Sequence, residues 1–394
     1  MTGGDLPFQP GDDPFANLPL FGDLAKALSG QGPLNWDAAR QFAALASGSS
    51  GSEPNVDPTV RIRLAELAHI VGMHVHDLTG TDGTFPEFTP VTRGTWAART
   101  LEAYRPLFND LAVSLSGNAS EPAAPTPDAD PMMAMMAGLS RMMAPSMMGM
   151  AIGSMVGRMS TRTFGQYDLP IPRDTDSLLV VPANIDEFAA EWSLPLDEMR
   201  LWVLAQELVG HTLFSMPTVR TRLSALVRTY VGAFRPDPDA VASHIAEVGA
   251  DGGDDPMAAL QRLLGDPAVL LGAVQSPEQA ELAPRLDAAV AAVVGYIDYT
   301  VDSVAVRVVG GDALRIAEAV RRRRVETGPD DLFVERLLGM RLDLAQVQRG
   351  KEFVGGVVDR VGEARLTSLF DADDPLPTPA ELDAPGLWVA RLEL

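Results

Sequence analysis

The run Leu201-Trp202-Val203-Leu204-Ala205-Gln206-Glu207-Leu208-Val209-Gly210-His211 constrains this chain more than any other. Ser193 and Pro195 precede it as N-terminal signals. Met199, Trp202, Val203 and Val209 recur at roughly helical spacing and Pro217 ends the pattern, which predicts a helix over 194–214. A helix with Glu and His so close together invites comparison with H-E-x-x-H, where two His one turn apart hold zinc and the Glu is the general base. With Glu207 on the Glu of that motif, the ligand positions fall on Gln206 and Gly210, and His211 comes one residue late. One residue turns a helix by about 100°, so His211 cannot replace a ligand at 210 unless the helix rotates.

The 394 residues, 46% of them hydrophobic, suffice for a large core in one domain or two. A formal charge of −22 argues against nucleic acid as a partner, because a phosphate backbone is held by clustered Lys and Arg. The one basic run, Arg321 to Arg324, reads as a solvated helix face or loop. With no cysteine, disulfides, thiolate zinc sites and Cys nucleophiles are all excluded. The first nineteen residues have neither a basic nor an apolar segment of the signal-peptide kind, so a cytoplasmic protein is expected.

In chain order, residues 1–56 read as a mobile acidic tail rich in Pro and Gly that carries short helices, with amphipathic patches at Phe21–Leu28 and Trp36–Leu45. Residues 57–394 read as one helical domain. Helical periodicity covers Val60–Leu78, which contains His69, His74 and His76; on a helix His74 and His76 point far apart, so a metal pair is not expected. One helix is predicted over Thr95–Leu115, then a linker over 116–131. The segment 132–160 is rich in Met, and Gly149, Gly153 and Gly157 recur at every fourth position, placing them on one helix face where another backbone can approach. Membrane contact and a copper-binding methionine cluster are the alternatives to close packing, and Arg141, Pro145 and Arg158 weigh against insertion. Ser177–Val181 is the best strand candidate. Helices follow at Val219–Val231, Ala240–Val248, Pro256–Leu264, Ala280 to beyond Val304, Leu332–Leu344, Ala345–Gly362 and Leu366–Phe370. An extended segment over Leu376–Pro385 and a tail at Trp388–Arg391 close the chain. The fold expected is mainly α with a small β element.

Several separated segments carry a wider likeness. Gly165-Gln166-Tyr167-Asp168, Val181-Pro182-Ala183-Asn184 and Arg200-Leu201-Trp202-Val203, then Gly350-Lys351, Val357 to Gly362, Leu376-Pro377-Thr378 and Pro385 to Arg391, occur in the order of a bacterial family of predicted zinc-dependent metalloproteases. The chain resembles that family, DUF2342 or the type-2 zincins, over roughly residues 60–394. The resemblance implies a zincin-like metallopeptidase scaffold with zinc as its cofactor. It places the first two ligands at Gln206 and Gly210, and a third, a Glu of a later helix, at Val294 in the run Ala292-Val293-Val294-Gly295-Tyr296. All three positions are replaced, and only Glu207, the family's general base, is kept.

A catalytic zinc needs about three N or O protein ligands to bind and to lower the pKa of its water. The leading expectation is therefore a pseudoenzyme, with no cofactor, that acts by binding a protein or peptide, Glu207 being a vestigial base. The alternative is an active zinc-dependent hydrolase with a relocated site, in which Glu207 and His211, four apart on one helix face, join Asp298 or Asp302 as ligands. A structural or membrane-peripheral module is the third class.

Overall fold

The computed structural model describes residues 32–48, 54–81, 85–116, 131–235, 276–325, 337–340 and 342–393. The helices expected at Ala240–Val248 and Pro256–Leu264, the Phe21–Leu28 patch and most of the 116–131 linker lie outside the described residues. The described elements run α1 Trp36–Ala46, α2 Pro58–Thr79, β1 Glu87–Pro90, α3 Arg93–Ala103, α4 Arg105–Ser116, α5 Pro131–Ser160, β2 Ser177–Val180, α6 Pro182–Glu191, α7 Leu196–Ser215 and α8 Pro217–Gly232. They continue with α9 Pro277–Val308, α10 Ala313–Val325, α11 Leu344–Val361, α12 Glu363–Phe370, α13 Pro379–Asp383 and α14 Pro385–Leu392. The fold is mainly α, as expected, with one two-stranded sheet. In it β1 and β2 pair in parallel, with Glu87 opposite Ser177 and Pro90 opposite Val180.

Long helices form where the ends are capped and the apolar positions are continuous. Ser276 and Gln279 close a capping box on α9, with Pro277 inside the first turn where no N–H is needed. Along α9 the residues from Ala288 to Asp298 are all buried. By length and composition it is the one described helix apolar enough to cross a membrane, and 78% of its most apolar window lies inside the protein. The helix is the centre of the core, with α7 on one side and α11 on another.

Four expectations are corrected. The short helix expected at Trp36–Leu45 is present, but it is capped and seated on α5 rather than part of a mobile tail. The single helix over Thr95–Leu115 is two, broken at Tyr104, because Pro106 has no N–H to continue the ladder of the first. The C-terminal stretch is not extended: a capping box of Thr378 with Glu381 starts α13, and Pro385 starts α14, which carries Trp388 at 0% exposure. Ser193 does not cap α7; the N-cap position is Pro195 and has no side-chain cap.

The glycine ridge of α5 is a close packing face. A Cβ on Gly149, Gly153 or Gly157 would lie 2.2, 2.1 and 2.5 Å from the carbonyl oxygens of Asn35, Ala39 and Ala43, three residues also spaced by four. The two backbones therefore touch along three turns. At the ridge's start Asn35 donates its N–H to the Pro145 carbonyl at 2.9 Å and its side-chain amide to Ser146 Oγ at 3.1 Å. A second contact of this kind joins α9 to α11. There a Cβ on Gly295 would meet the Gly350 carbonyl at 2.3 Å, and one on Gly350 would meet the Ala291 carbonyl at 2.0 Å.

Gly153→Leu should destabilise the protein by about 3 kcal/mol or more through overpacking, outweighing the roughly 1 kcal/mol gained in helix propensity. An unchanged or raised melting temperature would mean that α1 does not sit on this face in solution.

Candidate functional site

Glu207 lies in the second half of α7 and is fully buried. Its partner is backbone. The carboxylate accepts from the N–H of Gln166 at 2.9 Å and from the N–H of Tyr167 at 3.2 and 3.3 Å. Contact this close requires Gly165, since a Cβ there would come within 2.3 Å of Glu207 Cδ. Burial, and after it the nearby charge of Asp168, hold the Glu207 pKa well above the usual carboxylate range, against the two backbone donors and Arg173.

The loop that receives Glu207 is built around Asp168. One carboxylate oxygen of Asp168 accepts from Thr163 Oγ1 at 2.6 Å and from the N–H groups of Phe164 and Gly165. Trp96 Nε1 donates to the Gly165 carbonyl at 2.9 Å, and that carbonyl also lies 2.7 Å from Thr163 Oγ1, whose one hydrogen is shared between it and Asp168. Asn184, at the start of α6, donates its amide to the carbonyls of Ser160 and Thr163, at 2.9 and 2.6 Å. The N–H of Val181 reaches the Phe164 carbonyl at 2.8 Å, which fastens the loop to the end of β2.

Gln206, next along α7, is also buried and turns toward this loop. Its Nε2 donates to the second oxygen of Asp168 at 3.4 Å, and its Oε1 is buried with no hydrogen-bond partner. Gly210 faces Tyr167: a Cβ at 210 would stand 3.2 Å from three atoms of that side chain, Cβ, Cγ and Cδ2. Tyr167 in turn packs on Phe214, and its hydroxyl lies 3.3 Å from His211 Nδ1. His211 Nε2 is 3.2 Å from Ser215 Oγ. Burial, then the charge of Arg220, lower the His211 pKa to about 4, so the imidazole is neutral near pH 7.

Val294 comes from α9 and is 5% exposed. It lines a cavity of about 130 Å³ together with Gln206, Tyr167 and Asp168. The structure thus brings Gln206 and Val294 to one concavity. Gly210 lies behind Tyr167, which is part of the cavity wall, and Glu207 is turned into the loop.

The residues of the relocated site do not come together as ligands. Glu207 and His211 stand one turn apart on α7, each engaged as described. Asp298 is held by Arg324 through contacts of 3.0 and 3.1 Å, and Asp302 is bound by Arg321. Among the described residues no group of three or more His, Cys, Asp or Glu side chains is placed to hold a metal ion. The expected degenerate positions do not fit zinc either. Gln206 offers an amide oxygen, Gly210 and Val294 offer nothing, and the Tyr167 ring stands against Gly210.

The reading of Arg321–Arg324 as a solvated face is corrected. Arg321 and Arg324 are the partners of Asp302 and Asp298, and Arg323 lies over the Phe164 ring at 3.7 Å. Sequence alone gave one signal for this: Asp298 and Asp302 are four apart on a helix, so two arginines of a following helix could meet both.

A sequence profile of the zincin-like metallopeptidase family matches residues 34–389. A crystal structure from Chloroflexus aurantiacus, described as that of a candidate hydrolase with a novel fold, matches with a TM-score of 0.61 and 21% identity. The match covers 91% of this chain and 99% of the other, and at that identity the likeness is one of fold. No curated protein matches the chain.

Two outcomes test this account of Glu207. Gly165→Ala should cost about 1–3 kcal/mol in the native background and much less combined with Glu207→Ala, since the clash is with that side chain. Equal costs in the two backgrounds would contradict the contact. The second outcome is pH dependence. The folded protein keeps Glu207 protonated to higher pH than the unfolded chain does, so the stability it contributes is fully present below the unfolded value, close to 4.5. It is lost as pH rises toward the folded value. Glu207→Gln cannot ionise, so its stability relative to the native protein should rise as the pH is raised above the unfolded value, by about 1.4 kcal/mol for each pH unit over which only the unfolded carboxyl is ionised. A difference in denaturant midpoint that stays constant as the pH is raised from the unfolded value would refute the raised pKa.

Proposed function

Because this chain belongs to the zincin-like metallopeptidase family yet carries Gln206, Gly210 and Val294 where the family resemblance places zinc ligands, we propose that it is a pseudoenzyme. It keeps the scaffold of a metalloprotease and acts by binding a protein or peptide rather than by cutting one. The observation that carries this reading is the fate of Glu207. A general base must reach the water that it activates, within hydrogen-bond distance or through one intervening water. In this chain the carboxylate is fully buried and committed to the backbone of Gln166 and Tyr167.

The rest of the reading follows from the same residues. Tyr167 fills the space beside Gly210, and its ring packs on Phe214, so the region behind the former ligand position is core. The cavity at Gln206 and Val294 persists as a small pocket, the remnant on which a binding role would rest. The net charge of −22 directs the protein away from nucleic acid and anionic membrane surfaces, and a cytoplasmic setting is part of the proposal.

Zinc decides between this reading and an active hydrolase. The purified protein should contain no stoichiometric zinc after dialysis, and its melting temperature should not respond to added zinc. One zinc per chain by elemental analysis would establish a relocated site instead. The triple variant Gln206→His, Gly210→His, Val294→Glu should be less stable than the native protein in chelator, because an imidazole at 210 must displace Tyr167 and a carboxylate at 294 is buried. It should recover stability when zinc is added, as coordination offsets those costs. A triple variant that folds and ignores zinc would show that the three positions do not form one site.

A further inference from the structure

Helix α10 supplies part of the wall of the cavity at Gln206 and Val294, through Val320 and Arg324. Its apolar hold on the rest of the protein is small. Ile316 and Val320 are its large buried apolar side chains, and Ala313, Ala317 and Ala319 are the others. Arginines make most of the remaining contacts. Arg321 binds Asp302, Arg324 grips Asp298 at 3.0 and 3.1 Å, and Arg315 donates to the Ser193 carbonyl in the turn after α6. Arg322 lies over the Trp192 ring at 5.7 Å and Arg323 over Phe164 at 3.7 Å. Long side chains thus tie α10 to α9, to the turn after α6 and to the loop before β2.

Two features suit these ties to being broken and remade. The first is their chemistry. A buried ion pair adds little net stability over an apolar contact of the same size, and its best-attested use is to fix a register or a switch. The pair at Asp302 is also incompletely satisfied: its Oδ1 is buried with no hydrogen-bond partner, so water that reaches it on opening supplies a bond the closed state lacks. The second feature is the joint. Between the end of α9 at Val308 and the start of α10 at Ala313, Gly310 and Gly311 are both exposed, with nothing within 4 Å of a Cβ placed on either. A φ of +73° accounts for glycine at 310. Gly311 is required neither by a left-handed backbone nor by a close neighbour, and what it adds is freedom at the turn.

We propose that α10 is a lid over the cavity, turning on Gly310 and Gly311 and held shut by its arginines on Asp298, Asp302 and the Ser193 carbonyl. Opening bares the apolar wall formed by Val294 and Ile297, which Val320 adjoins in the closed protein. The inference rests on the binding role proposed above only for the purpose of the opening. No covalent bond is made or broken.

The chain has no cysteine, so one introduced thiol reports on one place. Val294→Cys puts it on the cavity wall, and Val71→Cys puts a control at a fully buried position of α2. Both are made in the full chain and labelled with N-ethylmaleimide, which is uncharged and therefore indifferent to salt. Opening a lid costs less than unfolding the core, so the thiol at 294 should react at least about tenfold faster than the one at 71. Asp302→Asn, and separately about 1 M NaCl, should each speed labelling at 294 several-fold and change labelling at 71 much less. Gly311→Ala should slow labelling at 294 several-fold while the melting temperature is unchanged or raised, since an alanine fits there and stiffens the joint.

Equal rates at 294 and 71 would overturn the proposal, because the cavity would then open only when the whole protein unfolds. Labelling at 294 that is fast but indifferent to Asp302→Asn, to salt and to Gly311→Ala would overturn it as well, by showing a cavity open without any lid. If Val294→Cys does not fold, Ile297→Cys reports from the same wall, and if Asp302→Asn does not fold, the salt series tests the same ion pairs. Failure here leaves the pseudoenzyme reading standing if the protein is also free of zinc, whereas stoichiometric zinc would remove that reading and leave the lid untouched.

Discussion

The bond between the Glu207 carboxylate and the backbone of Gln166 and Tyr167 holds the functional region of this protein together. It is a contact between a fully buried helix side chain and a loop, and each side depends on it. The loop would otherwise leave two N–H groups in the interior without acceptors, a cost of about 1–3 kcal/mol for each. The carboxyl would otherwise be buried alone. Gly165 lets the two come together, and Asp168 shapes the loop so that its N–H groups converge. Everything nearby follows from that fixed loop. Tyr167 is delivered onto Gly210, Gln206 is drawn to Asp168, and Phe164 is presented to Arg323.

A second constraint acts at the scale of the whole fold. Helices normally pack 8–10 Å apart because side chains intervene. At two places in this chain glycine removes the side chain on at least one helix. Gly149, Gly153 and Gly157 let α5 rest on the carbonyl oxygens of α1, and Gly295 with Gly350 does the same for α9 and α11. Contacts of this kind are intolerant, since any Cβ would meet a carbonyl at 2.0–2.5 Å. The second fixes α9 against α11, and with it the placement of Val294 and Asp298.

Charge is arranged by the same logic of burial. Asp298 and Asp302 are drawn into the protein on an otherwise apolar helix, and α10 brings Arg321 and Arg324 to neutralise them. The intervening residues of that helix go elsewhere. Arg322 lies over Trp192, and Arg323 turns to Phe164 beside the cavity. Arg323 is thereby left without an ion-pair partner among the described residues.

The sequence determined much of this by itself. The helical period around Glu207, the strand at Ser177, the long apolar run through Val294 and the glycines at every fourth position of α5 are local patterns, and each gave an element or a packing face that the structure contains. Gln206, Gly210 and Val294 offer zinc no good ligand, which is a property of residue types; that these are the family's ligand positions came only from the resemblance. Only the tertiary structure decided what those residues touch. No periodicity says that Glu207 will be held by backbone from forty positions earlier, that Tyr167 will cover Gly210, or that Arg323 will stack on Phe164 while Arg321 and Arg324 pair with aspartates. The same limit explains why the docking of Trp36–Ala46 and the helices within Pro379–Leu392 were not legible. Short helices are marginal on their own and exist because a partner buries one face, and that partner lies far away in the chain.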